Sequence, residues 1–189
     1  MALFRSRGAY LEGHFRLTSG LHSAGYLQCA LVLQYPEAAE KLGRALAGEL
    51  RQAAGAPVQL VAAPALGGLI IGHEVARALG IRFIFTERDA STGKMTLRRG
   101  FQVTPGEAAV VVEDVITTGG STQDVIEVLR VARANVLAAG SIIDRSGGLA
   151  AVGAPRVALA TLKLGSHQPE ACPLCAQGVP VVKPGSRPA

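Results

Sequence analysis

The chain has 189 residues, enough for one buried core, and 49% of them are apolar, which excludes an intrinsically disordered segment. Lys and Arg outnumber Asp and Glu by 19 to 14, giving a net charge of +5. The basic residues are scattered, with local density only at Lys94, Arg98 and Arg99, and Trp is absent. The charge therefore matches a phosphorylated small molecule better than a nucleic acid. No apolar run reaches the roughly 18 residues of a membrane helix, and Met1-Ala2-Leu3-Phe4-Arg5 does not read as a secretion signal. The cysteines, Cys29, Cys172 and Cys175, are odd in number, which points to a reducing cytoplasm.

Residues 1–35 show no regular alternation of elements and are read as a small N-terminal hood. From Pro36 to Ala54, Ala39, Leu42, Leu46 and Leu50 recur at helical spacing, and Gly55 and Pro57 end the helix. Val58 to Ala63 is a short strand that stops at Pro64. A helix follows Gly67-Gly68 and runs to Leu79, where Gly80 closes it. Ile81 to Phe85 is a second strand. The polar, basic stretch from Glu87 to Pro105 is a long loop or hairpin. Ala108 to Val112 is a continuous apolar run, as expected of a strand buried on both faces. Thr122 to Arg133 is helical, Val136 to Ile143 is a strand, and Val157 to Leu162 is another. Residues 165–189 are rich in Pro and Gly and are read as a surface tail. The expectation is one α/β domain over 1–189, with a mostly parallel central sheet flanked by helices across 36–164. Ligands of such sheets bind beyond the carboxyl ends of the strands.

The chemistry concentrates in Val110-Val111-Val112-Glu113-Asp114-Val115-Ile116-Thr117-Thr118-Gly119-Gly120-Ser121-Thr122. A buried strand delivers two adjacent carboxylates, a turn of hydroxyls and glycines follows, and a helix begins. The carboxylates suit a ribose diol, directly or through a divalent metal. The glycines let backbone approach a ligand, and amides at a helix N-terminus favour a phosphate. Adjacent buried acids are costly without partners, which argues against an ordinary capped helix.

This segment resembles the phosphoribosyl diphosphate (PRPP) motif of type I phosphoribosyltransferases. Gly13-His14-Phe15-Arg16-Leu17-Thr18-Ser19-Gly20, Pro64-Ala65-Leu66-Gly67-Gly68 and Ile143-Asp144-Arg145 extend the resemblance to the orotate phosphoribosyltransferase family, as does the tail Cys172-Pro173-Leu174-Cys175, Pro180, Lys183-Pro184-Gly185. The chain departs from many members in having Thr18 for Lys, Leu66-Gly67-Gly68 for Tyr-Lys-Gly, and Thr86-Glu87-Arg88-Asp89 where adjacent basic residues open the mobile loop.

The resemblance implies the type I phosphoribosyltransferase fold with its N-terminal hood. It implies PRPP and orotate as substrates, orotidine 5′-phosphate and pyrophosphate as products on the way to UMP, and Mg²⁺ held mainly through PRPP. PRPP would be bound by Glu113, Asp114, Val115, Ile116, Thr117, Thr118, Gly119, Gly120 and Ser121, with Arg88 and Lys94 closing over the pyrophosphate. Orotate would be bound by Thr117 and Arg145. Asp114 and Lys94 would be the catalytic pair, with Arg98 a further candidate beside Lys94. A homodimer is implied, each lid reaching the neighbouring site. Two alternatives stay open: transfer to a purine or another base, and a non-catalytic PRPP sensor that binds nucleic acid.

The remaining chemically capable residues carry plainer expectations. His14, His22 and His73 are read as structural or surface histidines, because no acid partner stands at motif spacing. Cys29 is read as core. Cys172-x-x-Cys175, with His167 upstream, could hold zinc, but a structural site needs four ligands and the fourth is not visible, so an inert tail is preferred.

Overall fold

The chain is described from a computed structural model, over residues 1–17 and 20–183. Thr18 and Ser19 of the N-terminal signature, and Pro184-Gly185 of the tail pattern, lie outside the described residues. In chain order the elements are α1 (Ala2–Ser6), β1 (Tyr10–Arg16), β2 (His22–Leu27), α2 (Ala30–Leu33), α3 (Pro36–Ala54), β3 (Leu60–Pro64), α4 (Gly68–Leu79), β4 (Arg82–Arg88) and β5 (Met95–Leu97). Then come β6 (Ala108–Ile116), α5 (Gly120–Val131), β7 (Asn135–Asp144), β8 (Arg156–Thr161), β9 (Ser166–His167) and α6 (Pro173–Ala176). They divide into two compact units, Leu33–Leu162 and the pair of segments Met1–Val32 and Lys163–Ala189.

The larger unit holds a six-stranded sheet ordered β5-β4-β3-β6-β7-β8, parallel throughout except for the antiparallel edge pair β4–β5. Parallel strands need crossover connections, which α4 and α5 supply. The apolar run of β6 is buried on both faces, as its lack of alternation predicts. One side of the sheet packs Leu60, Ala62, Ala109 and Val111 against Val125, Ile126 and Leu129 of α5. α3 packs against α4 and β7. Burying a Leu or Val side chain contributes about 1.5–3 kcal/mol, so this core holds the strand ends that carry the site.

Two elements differ from their sequence-based ranges in ways that matter. β6 does not stop at Val112 but continues to Ile116, so Glu113 and Asp114 lie within the strand, where Glu113 pairs with Ser141 and Val115 with Ile143 of β7. The long polar connection is a hairpin: β4 runs on to Arg88 and pairs with β5 through Thr86↔Leu97 and Arg88↔Met95. Its tip is closed by Asp89, whose Oδ1 accepts from the amides of Ser91 (3.0 Å) and Thr92 (2.9 Å). These bonds, led by the one from the Ser91 hydroxyl, hold the Asp89 carboxyl down to about 2.

The smaller unit holds a three-stranded antiparallel sheet, β1-β2-β9. The carboxyl-terminal segment, expected as a surface tail, supplies β9, and Val182 bridges to Phe15 of β1. Cys172 is buried in this unit at 3% exposure. Pro and Gly content hid this pairing, because the contacts are non-local and short.

Candidate active site

The segment 108–131 folds as strand, turn and helix. β6 delivers Glu113 and Asp114 half-buried at its carboxyl end, Thr117 and Thr118 are exposed in the turn, and Gly120 opens α5. Gly119 has φ +87, a left-handed conformation that favours glycine, and a Cβ there would lie 2.8 Å from Val152 Cγ1. The first α5 backbone bond is from Gln123 to the Gly119 carbonyl at 2.9 Å. The amides of the turn before it need an acceptor from outside the helix. Ile116 contributes backbone only: its side chain is in the core and its carbonyl accepts from the Arg145 amide at 2.8 Å. That bond, with the Ile116↔Asp144 register, sets Arg145 beside Thr117.

Burial pushes the Glu113 carboxyl up to about 7, and the charge of Asp114 adds to it; the Thr122 hydroxyl, donating to Glu113 Oε2 at 2.5 Å, and Arg88 oppose the rise. Burial raises Asp114 as well, against the hydrogen bond its Oδ1 accepts from the Val115 amide at 2.8 Å. Two acids so placed favour a ligand rich in hydroxyls or a cation. The loop Pro64–Gly68 comes directly to them: a Cβ on Gly67 would lie 2.7 Å from Asp114 Oδ1. Only the absence of a side chain at 67 leaves this carboxylate open on that side, a contact that the sequence did not disclose. The Ala65–Leu66 peptide in the same loop is cis.

The Glu113 shift sets a stability profile. From the ordinary value of 4.5 up to about 7, the folded chain binds more protons than the unfolded chain, so stability falls as pH rises through that window and levels off above it. Glu113→Gln removes this dependence. Urea unfolding is expected to show the variant on the order of 2–3 kcal/mol more stable than the parent at pH 8, with the gap closing towards pH 4. Parallel pH profiles would show that Glu113 ionises normally.

Arg145 is held in place by its neighbour. Asp144 is 1% exposed and accepts from the Ser146 amide (2.7 Å), the Ser146 hydroxyl (2.6 Å) and the Gly148 amide (3.0 Å), and it pairs with Arg156. Burial alone raises its pKa, but the Ser146 bonds and Arg156 together hold it below the usual carboxylate range. The acid of Ile143-Asp144-Arg145 thus organises the turn that carries the arginine. Arg156 went unremarked in the sequence, since its partner lies 12 residues away across β7 and β8.

Lys94 and Arg98 are exposed on the β4–β5 hairpin. Arg88 ends β4 next to the hairpin turn, opposite Met95, and its guanidinium donates to the Gly93 carbonyl (2.9 Å) and to Asp124 of α5 (2.8 Å). This ties the hairpin to the helix that follows the turn.

A parallel sheet whose central strand ends in paired acids, followed by a glycine turn and a helix N-terminus, defines a phosphoribosyltransferase of type I. The phosphoribosyl transferase domain family matches residues 32–168. The chain is 53% identical over 187 residues to an orotate phosphoribosyltransferase of Pelotomaculum thermopropionicum, covering 99% of this chain and 96% of the relative. It is 52% identical to that of Heliobacterium modesticaldum, covering 98% and 95%. The solved orotate phosphoribosyltransferase of Aeropyrum pernix superposes with a TM-score of 0.67 at 30% identity, covering 86% of this chain and 93% of that one. The chain belongs to the orotate phosphoribosyltransferase family.

Proposed function

We propose that the chain transfers the 5-phosphoribosyl group of PRPP to orotate, giving orotidine 5′-phosphate and pyrophosphate for pyrimidine synthesis. The observation that carries this reading is Arg145 beside the Thr117–Ser121 turn, on a sheet whose central strand presents Glu113 and Asp114. Glu113 and Asp114 take the ribose 2- and 3-hydroxyls, and the amides of 117–121 take the 5-phosphate. Arg145 pairs with the orotate carboxylate, and Thr117 hydrogen-bonds the base. The bond from ribosyl C1 to pyrophosphate breaks as an orotate ring nitrogen attacks, and the developing positive charge on the ribosyl ring lies over the two carboxylates. Lys94, with Arg88 and Arg98 near it, meets the leaving pyrophosphate when the hairpin closes.

The oxygen-only donor set at the site fits Mg²⁺, a hard cation that keeps phosphate and water ligands. When bound, held mainly by PRPP, it neutralises charge on the departing pyrophosphate. We propose further that the protein works as a homodimer, each hairpin serving the neighbouring site, in a reducing cytoplasm, in keeping with three cysteines that form no disulfide. No helix among the described residues is long and apolar enough to cross a membrane.

Orotate absorbance is expected to fall only when PRPP and Mg²⁺ are both present with the protein. Persistence of orotate under those conditions would overturn the proposal.

A further inference from the structure

The smaller unit brings together four side chains that the phosphoribosyl chemistry does not use. His14 Nε2 lies 2.9 Å from His22 Nδ1, 3.4 Å from Cys172 Sγ and 3.7 Å from Cys175 Sγ, and Cys175 Sγ lies 3.3 Å from His22 Nδ1. All four atoms fall within 4.8 Å of one another. His14, His22 and Cys172 are 3%, 6% and 3% exposed.

The fold converges on this point from three directions. A register shift between Glu12 and Phe15 in the β1–β2 ladder puts the rings of His14 and His22 edge to face, with centroids 4.8 Å apart. The tail then lies along β1, with Val182 donating its amide to the His14 carbonyl at 2.8 Å. This places the Val179 carbonyl 2.7 Å from His14 Nδ1. A carbonyl can only accept, so Nδ1 carries the proton and Nε2 presents its lone pair to the cluster. Such a backbone contact is the usual outer support of a metal-bound histidine. The short helix α6 holds the two cysteines at its ends, with the Ala176 amide donating to the Cys172 carbonyl at 3.1 Å.

We infer that His14, His22, Cys172 and Cys175 form a structural tetrahedral metal site, and that its ion is Zn²⁺. Zinc binds thiolate sulfur at about 2.3 Å and imidazole nitrogen at about 2.0–2.1 Å, so a tetrahedron of two of each has ligand atoms roughly 3.3–3.8 Å apart. Of the four separations given above, three fall in that range, and the remaining pairs lie within 4.8 Å. The fourth, 2.9 Å between the histidine nitrogens, needs only a few tenths of an ångström of opening. Two sulfurs and two nitrogens in this arrangement select zinc over magnesium or calcium, which require oxygen. Four protein ligands leave no open position, which makes the role structural. Each thiol releases a proton to solvent on binding, and two thiolates balance the ion's charge. The metal joins β1, β2 and the tail within a unit built from two short segments, where apolar burial is limited and a metal supplies what a small core lacks.

The test uses the full chain, free of affinity tag and purified under reducing conditions. Elemental analysis after desalting is expected to find about one zinc per chain. X-ray absorption at the zinc edge is expected to show two sulfur scatterers at roughly 2.3 Å and two nitrogen scatterers at roughly 2.0–2.1 Å. Cys175→Ser is expected to lose most of the zinc. His167→Ala removes an exposed histidine outside the set and is expected to keep it. Stripping the parent chain with a strong chelator should lower its melting temperature, and added Zn²⁺ should restore it. A zinc-free chain with free thiols, a Cys172–Cys175 disulfide, or a shell of nitrogen and oxygen alone would overturn the inference. If Cys175→Ser fails to fold, the absorption spectrum of the parent chain decides.

Discussion

Replacing Asp114 with Asn is expected to cut turnover ten- to a hundredfold while leaving the fold intact. Asp114 is half-buried at the end of β6 and is raised in pKa by that burial, so its charge is held at a cost. A charge retained at a cost implies a use, and the proposed one is the ribose diol. Loss of a charge-assisted hydrogen bond costs about 1.5–3 kcal/mol, which is roughly that factor in rate. The fold should tolerate the change because an Asn carbonyl can still accept from the Val115 amide, now 2.8 Å from Asp114 Oδ1. Steady-state kinetics and thermal unfolding on the same preparation separate the two effects. A folded variant with near-normal turnover would remove Asp114 from the reaction.

Lys94→Ala is expected to have the other large effect, a fall in turnover of about a hundredfold or more, as for removal of a group that meets developing charge. Lys94 is exposed on the hairpin, so its loss should barely move the melting temperature. Pyrophosphate gains charge as the ribosyl bond breaks, so a cation that arrives with closure favours the transition state over the ground state. Arg145→Ala should instead impair orotate use, since its contact is with the base. Each variant alone is expected to be nearly inactive. Mixed together, they test the shared-site dimer: in a hybrid, one site carries both lesions and the other carries neither, so activity should recover to about a quarter of the parent at most. Hybrid dimers without recovery would assign the hairpin to its own subunit.

The sequence made the central sheet legible because alternating apolar runs and amphipathic helices leave few topologies. It also disclosed the 110–122 segment, where all the relevant groups are contiguous. What escaped depended on distant pairings. Gly67 stood only in the Pro64–Gly68 segment of the resemblance, and its close approach to the Asp114 carboxylate depends on a non-local packing of the two strand ends. The stretch 87–105 read as a long loop or hairpin, and the choice stayed open because β5 is only three residues long, with Met95 its one buried side chain. The His–Cys cluster was half legible: Cys172-x-x-Cys175 offered a metal pair with His167 upstream, but the histidines that complete it are His14 and His22, and 158 residues separate His14 from Cys172.

Parallel initial rates with orotate, uracil, adenine, hypoxanthine and xanthine, at fixed PRPP and Mg²⁺, test the account most directly. Uracil lacks the carboxylate that Arg145 is proposed to hold, and a missing charged partner costs about 1.5–3 kcal/mol, so orotate should exceed uracil in kcat/KM by roughly ten- to a hundredfold or more. The purines should give no product. Turnover of a purine with orotate left untouched would contradict the account.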